Sequence, residues 1–293
     1  MVKILAFDTE TSDRAPYIPG TTRWVNSKKL LSIKDLKKEN SMWSTLLVAW
    51  PSIIQLAYVL YDTENPQTQT KIFNKYIDIE DHVQISAESL AIHHISKDKI
   101  EKMDSKNRAK IQDALNEFLN DVKNADVVVG HNVAFDRKMI VSELLRLSKK
   151  TGLDDENLVT MMTNKKFKCT QEITRPMCKL ERKHNNNDHH EHDHGQKSYY
   201  KFKTPKLIEA YEHFFGCVPK LDMLHDALID AIITLRVYCI SMKNTPLDIN
   251  HTNKTIAKYI KQVSPIKCKT AKKKKLKGKI IKSKKTRKNN YKS

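Results

Sequence analysis

The chain opens on an apolar run, Val2-Lys3-Ile4-Leu5-Ala6-Phe7, that gives way to alternating polar residues, which predicts a short buried strand at the start of the fold. Residues 52–61 are rich in β-branched and aromatic side chains and partly alternate. Residues 71–79 continue the pattern across a polar turn at 62–69, so the two read as a hairpin. Ile111, Ala114, Leu115, Phe118, Leu119 and Val122 fall at helical spacing and predict an amphipathic helix over 107–123. A buried strand over 126–130 follows, then a helix over 134–149. Thr204 as cap and Pro205 at the first helical position predict a helix running to Phe215. A last helix covers 226–242. Strands alternating with helices, with a hairpin near the start, define an α/β fold built on a mixed sheet.

Two stretches break this pattern. Residues 12–50 are polar and poorly patterned and carry Trp24 and Trp43, so they read as an insertion over the end of the first strand. Residues 183–198 are rich in Asn and His, with His184, His189, His190, His192 and His194 among acids, and lack core-forming residues. Cys169 and Cys178 lie just upstream, but no spacing matches a structural zinc site, and a solvated loop is expected there. The 293 residues suit one domain over 1–245 followed by a linker and tail over 246–293. The formal charge of +19 sits mostly in that tail, where Ile266 to Ser293 holds fourteen Lys or Arg and no acid. Such a run self-repels and gains affinity for polyanions by releasing counterions, and it also suits a nuclear-import signal. The five cysteines show no tight pairing pattern and no long apolar stretch interrupts the fold, which predicts an intracellular protein of a reducing compartment, without membrane contact.

The candidate chemistry begins at the end of the first strand. Asp8 and Glu10 are i and i+2, so they point to the same face and can converge on one cation. Without a cation they repel one another and resist burial. Asp136 falls in the first turn of the helix that leaves the 126–130 strand, where acids that favour the helix dipole are also common. Asn132, just before it, is a candidate cap. Asp226 and Asp230 are four apart and share a helix face. His225 and Asp230 are five apart, about 140° around an ideal helix, so both reach one centre only if His225 precedes the first full turn. Together these residues supply hard oxygen ligands for two divalent ions about 3.5 to 4 Å apart, and a base near neutral pKa to deprotonate a water.

The order of Phe7-Asp8-Thr9-Glu10-Thr11, then Gly130-His131-Asn132-Val133-Ala134-Phe135-Asp136, then His225-Asp226-Ala227-Leu228-Ile229-Asp230-Ala231 resembles the DEDDh branch of the 3′-to-5′ exonucleases. That group takes in polymerase proofreading subunits, ribonuclease T and oligoribonuclease. Ala91-Ile92-His93-His94-Ile95-Ser96 resembles a loop of the same family, which usually carries glycine where this chain has His94. The resemblance spans residues 2–242. It implies a ribonuclease-H-like sheet of five strands, the second antiparallel to the rest, flanked by helices. It implies Asp8, Glu10, Asp136 and Asp230 as ligands of two Mg²⁺ or Mn²⁺ ions, His225 as general base, and Thr11 and Asn132 against the nucleic acid. Asp226 is not carried over. The implied partner is a nucleic acid with a free 3′ end, single-stranded or frayed, with DNA favoured slightly over RNA and a polymerase or replication protein as a further class. A binding module without activity on the same fold, and a His-rich metal-handling protein, are the competing expectations.

Overall fold

The computed structural model describes residues 2–14, 50–67, 69–152, 156–181, 202–243 and 252–264. Both predicted insertions and the basic tail therefore fall largely or wholly outside the described residues. At the centre is β1 (Lys3–Thr11), paired antiparallel with β2 (Ile53–Asp62) and parallel with β5 (Val127–Gly130). Beyond β2 lie β3 (Lys71–Ile77) and β4 (Arg108–Ala109), and beyond β5 lies β6 (Phe167–Cys169), giving the order β4-β3-β2-β1-β5-β6. The sheet thus has six strands instead of the five expected. The addition is the two-residue β4, which pairs with Tyr76 and Ile77 at the edge. Only β2 runs against the others beside β1, as the mixed sheet requires.

The helices are α1 (Ala87–His93), α2 (Lys97–Glu101), α3 (Ile111–Asn124), α4 (Val133–Thr151), α5 (Glu156–Asn164), α6 (Thr170–Cys178), α7 (Leu207–Phe215), α8 (Ala227–Lys243) and α9 (Lys254–Val263). The alternation of β1 decides which of them cover which face. Leu5 and Phe7 are buried with Leu115, Phe118, Val122, Met139 and Leu144 of α3 and α4. Ile4 and Ala6 face the other way, onto Leu228, Ile232 and Leu235 of α8. Helix α8 is apolar on two sides because it is itself covered: Ile229, Ile233 and Val237 pack on Ala210 and Tyr211 of α7. A strand buried on both faces reads as a continuous apolar run, which is why β1 shows little alternation until its acids begin.

Three element boundaries differ from the sequence expectation, each for a local reason. Helix α3 starts at Ile111, four residues late, because Ser105–Asn107 form a 3₁₀ turn and Arg108 is held by the Ile100 and Glu101 carbonyls and by Asp78. Helix α7 starts at Leu207, not at Pro205, because the Pro205 carbonyl is taken by His131 and the entry is closed by the Lys206 N–H donating to Glu209 at 2.8 Å. The stretch read as a linker after residue 245 carries α9, whose Ile256, Ile260 and Val263 are buried against the core. Cysteine pairing also departs from expectation. Cys169 and Cys178 have free thiols, whereas Cys217 is disulfide-bonded. No helix among the described residues is long and apolar enough to cross a membrane.

Candidate active site

The site lies at the C-terminal ends of the parallel strands β1 and β5, where ligands of open α/β sheets gather. Strand β1 delivers Asp8 and Glu10 on the face that α8 covers. A register shift between Glu10 and Thr11 against β2 ends regular pairing just past the second acid. Such bulges re-aim side chains at a strand end. On the other side of the sheet, β5 ends at Gly130, where an added Cβ would stand 2.8 Å from Val133 Cγ2. Glycine there lets α4 start tight against the strand, and Asp136 in its first turn is buried at 3% exposure. Asp136 Oδ1 accepts from the Thr9 N–H at 3.1 Å and from Thr9 Oγ1 at 2.8 Å.

The start of α8 answers the spacing test posed by the sequence. The helix begins at Ala227, so His225 lies ahead of it, in the left-handed region with φ 62°. Its backbone N–H donates to Asp230 Oδ2 at 3.3 Å. Ligand atoms of Glu10, His225 and Asp230 all fall within 4.8 Å of one another. Asp226 turns elsewhere: its Oδ1 caps the helix through the N–H groups of Leu228 at 3.0 Å and Ile229 at 3.2 Å, and its Oδ2 accepts from Gln55 at 3.2 Å.

Four carboxyls in this space cannot all hold a charge cheaply. Burial, reinforced by Asp136, Asp230 and Glu10, raises the Asp8 carboxyl well above its usual range. Burial, with Asp230 and Asp136 adding repulsion, pushes Glu10 up to about 9. Asp230 is pushed up to about 7 by burial, against the His225 N–H bond that favours its charge. Asp136 also rises to about 7 through burial, with the two Thr9 donors opposing. Asp230 Oδ1 is buried without a hydrogen-bond partner. An orphaned carboxylate oxygen among crowded acids fits a hard divalent cation, the chemistry this donor set suits. Burial, with His94 and Lys206 nearby, lowers the His225 pKa, which keeps its imidazole neutral near pH 7.

Asn132, expected as a cap or a ligand contact, opens α4 at φ 62° but its side chain makes no capping bond and is exposed. Thr11 is buried, with its hydroxyl donating to the Asp13 carbonyl at 2.7 Å and its residue paired with Ile53 of β2. Sequence reasoning missed Thr9 and Gln55, which touch the site only through long-range pairing. It also missed His131: Nδ1 lies 2.9 Å from Thr170 Oγ1 and Nε2 3.1 Å from the Pro205 carbonyl, and burial lowers its pKa to about 4. That neutral imidazole ties the loop before α7 to the end of β5.

Acids from β1 and α8 come together beside a histidine at the end of the mixed sheet, with the α4 acid near enough to repel them. A family model described as an exonuclease, RNase_T, matches residues 47–238. The chain belongs to this exonuclease family, in the DEDDh group that its motifs resemble. The match takes in Asn132, Asp136, His225 and Asp230, whereas Asp8 and Glu10 precede it and join the site through the fold. No curated protein matches the chain. Among solved structures it is similar to E. coli exonuclease I in complex with a dA16 oligonucleotide, at 12% identity and a TM-score of 0.48, over 89% of this chain and 43% of that one. Exonuclease I of Methylocaldum szegediense is similar at 11% identity and a TM-score of 0.46, over 84% and 42%. The cell-death related nuclease CRN-4 is similar at 14% identity and a TM-score of 0.42, over 82% and 64%. The chain thus covers less than half the length of these exonuclease I chains.

Proposed function

We propose that the protein removes nucleoside monophosphates from the 3′ end of a nucleic-acid strand, preferably DNA, by hydrolysis of the terminal phosphodiester. The observation that carries this reading is the meeting of Glu10, His225 and Asp230 within 4.8 Å, around a carboxylate oxygen without a partner. Asp8, Glu10, Asp136 and Asp230 would hold two Mg²⁺ or Mn²⁺ ions, which supply positive charge against the attacked phosphate and the leaving oxygen. The backbone at Thr11 and the exposed side chain of Asn132 hold the terminal nucleotide. His225, neutral near pH 7, takes a proton from the attacking water as its oxygen bonds to phosphorus. The bond from phosphorus to the 3′ oxygen of the preceding nucleotide breaks, releasing a monophosphate and a new 3′ hydroxyl. His225 precedes α8 in left-handed backbone, with a ring nitrogen within 4.8 Å of ligand atoms of Glu10 and Asp230.

Matched 3′-labelled and 5′-labelled DNA and RNA oligonucleotides, single- and double-stranded, digested with Mg²⁺ or with EDTA, test the reading. The expected result is early loss of the 3′ label, a ladder from the 5′ label, and silence in EDTA. Asp8→Ala should abolish hydrolysis in a folded protein. Wild-type rates in that variant, or release of the 5′ label first, would overturn the assignment.

A further inference from the structure

Helix α9 is two-sided. Ile256, Ile260 and Val263 are buried against the core, whereas Lys254, Lys258 and Lys261 are exposed. At 3.6 residues per turn the three lysines fall within about 60° of arc, opposite the buried stripe. Neither they nor the exposed Lys220 have an ion-pair partner among the described residues. The helix holds no acid to neutralise them, and Asp248 is the last acid of the chain. Like charges three and four residues apart on a helix repel. The row therefore weakens the helix that carries it, and an anion laid along it would relieve that repulsion.

Both ends of α9 are pinned, which gives the row a direction. At its start Asn253 caps the helix, accepting the Ile256 N–H at 2.8 Å, and its Nδ2 donates to the Thr70 carbonyl at 3.4 Å. Thr70 precedes Lys71, which pairs with Leu60, itself opposite Leu5, so this end lies by the early residues of β1 and away from its acids. At the far end the Val263 carbonyl accepts the Lys220 N–H at 3.0 Å. Lys220 opens the 3₁₀ turn Leu221–Met223 that leads to His225. The helix thus runs from the start of β1 toward the segment that enters α8. Its three lysines form a preset row about 10 Å long, and Lys220 adds a fourth exposed ammonium at the end nearer the site.

We propose that Lys254, Lys258 and Lys261, continued by Lys220, bind the phosphodiester backbone of the strand upstream of the 3′ end that enters the site. This rests on the nuclease reading, which sets the 3′ end at the acids and sends the rest of the strand out over the surface. A row of about 10 Å spans about three phosphates at about 3.4 Å per nucleotide of a stacked strand, so each lysine of α9 has one to meet. Such contacts position the strand without reading its sequence.

Anisotropy of fluorescein-labelled (dT)₄ and (dT)₂₀ with the full chain in EDTA, across a salt series, tests the row, with hydrolysis of the same strands in Mg²⁺ measured beside it. The triple variant Lys254→Gln, Lys258→Gln, Lys261→Gln should weaken (dT)₂₀ binding at least about tenfold at low salt. Its salt slope should fall by about 2, as loss of three single-strand phosphate contacts requires. Binding of (dT)₄, which fills the site alone, should stay within about twofold, as should kcat at saturation, and the melting temperature should not fall. Arginine at the same three positions should keep the slope, and Lys258→Gln alone should lower it by about 0.7. An unchanged (dT)₂₀ slope in both glutamine variants would overturn the row. So would an equal loss for both lengths, or lost binding to phosphatidylserine vesicles with (dT)₂₀ unaffected. A wild-type chain that binds (dT)₂₀ but hydrolyses neither strand would overturn the nuclease reading, while the slopes still decide whether the row holds phosphates.

Discussion

Thr9 gives both its backbone N–H and its hydroxyl to a single oxygen, Oδ1, of Asp136, a residue 127 positions away in sequence. The bond ties β1 to the helix on its α4 face. Thr9 lies between Asp8 and Glu10 and points to the opposite face, so it couples the α4 acid to the strand that carries the other two. Two donors on one oxygen favour the charged carboxylate, the form that the proposed metal ligation needs. Thr9→Val keeps the shape and the N–H but removes the hydroxyl. We expect kcat to fall about tenfold, from the loss of one hydrogen bond to a charged group, with part of the loss recovered at high Mg²⁺. Titrating Mg²⁺ against activity in both proteins checks this, and identical curves would show that Thr9 positions nothing.

The crowded acids set a pH dependence of stability whose sign follows from their direction. Folded-state pKa values of about 9 for Glu10 and about 7 for Asp136 and Asp230 lie above the unfolded values near 4. Between about pH 4 and pH 9 these three carboxyls therefore bind more protons in the folded chain than in the unfolded one, and their contribution to stability falls as pH rises through that window. Cations that hold the ionised forms offset the loss. In EDTA the melting temperature should drop from pH 5 to pH 8, and Mn²⁺ or Mg²⁺ should raise it more at pH 8 than at pH 5. Asp230→Asn should raise the EDTA melting temperature at pH 8. A metal-induced shift of the same size at both pH values would contradict the account.

What could be read from sequence here was set by local geometry. Asp8 and Glu10 on one face follow from the period of a strand, and Asp136 from a strand that runs into a helix at Gly130. The helix start that brings His225 and Asp230 together was posed as a condition by their spacing, and Ala227 meets it. Thr9, Gln55 and His131 were not legible, because each acts on a partner far along the chain and none belongs to a periodic pattern. Short elements were missed for the same lack of periodicity: α1 and α2 have seven and five residues, and β6 has three. Helix α9 does carry Ile256, Ile260 and Val263 at helical spacing, but polar and basic neighbours disguise it as linker. At His94, where the family loop usually carries glycine, histidine takes a left-handed conformation with φ 55°.

His225 should govern the acid limb of the activity profile. Its pKa is lowered by burial and by His94 and Lys206, so the neutral, proton-accepting form persists below pH 6.5. Activity should stay level as pH falls from 8 to 7 and decline only once the imidazole gains its proton. His225→Asn tolerates the left-handed backbone and should fold normally while kcat drops about 10²- to 10⁴-fold. Its remaining activity should lack the acid limb. Persistence of that limb in the variant would assign it to the carboxyls instead.

Gln55 sets the position of the whole α8 entry. It is fully buried opposite Glu10 in the β1–β2 register, its Oε1 accepts the Ala227 N–H at 3.2 Å, and its Nε2 donates to Asn74 and Asp226 at 3.0 and 3.2 Å. Asp226, so held, caps the helix whose first turn carries Asp230 and whose preceding residue is His225. Gln55→Leu keeps the volume but leaves the Ala227 N–H without its acceptor and removes one donor from Asp226 Oδ2, at about 1 to 3 kcal/mol of stability. Gln55→Glu retains the acceptor for Ala227 but places a second carboxylate against Asp226. Its penalty should be present above the carboxylate pKa and fade as pH falls toward 4, whereas the leucine penalty should not vary with pH in that way. Thermal melts of both variants at pH 4.5 and pH 8, with kcat measured beside them, separate the two effects. Wild-type melting and turnover in both would show that the helix start is held by its own cap and not by β2.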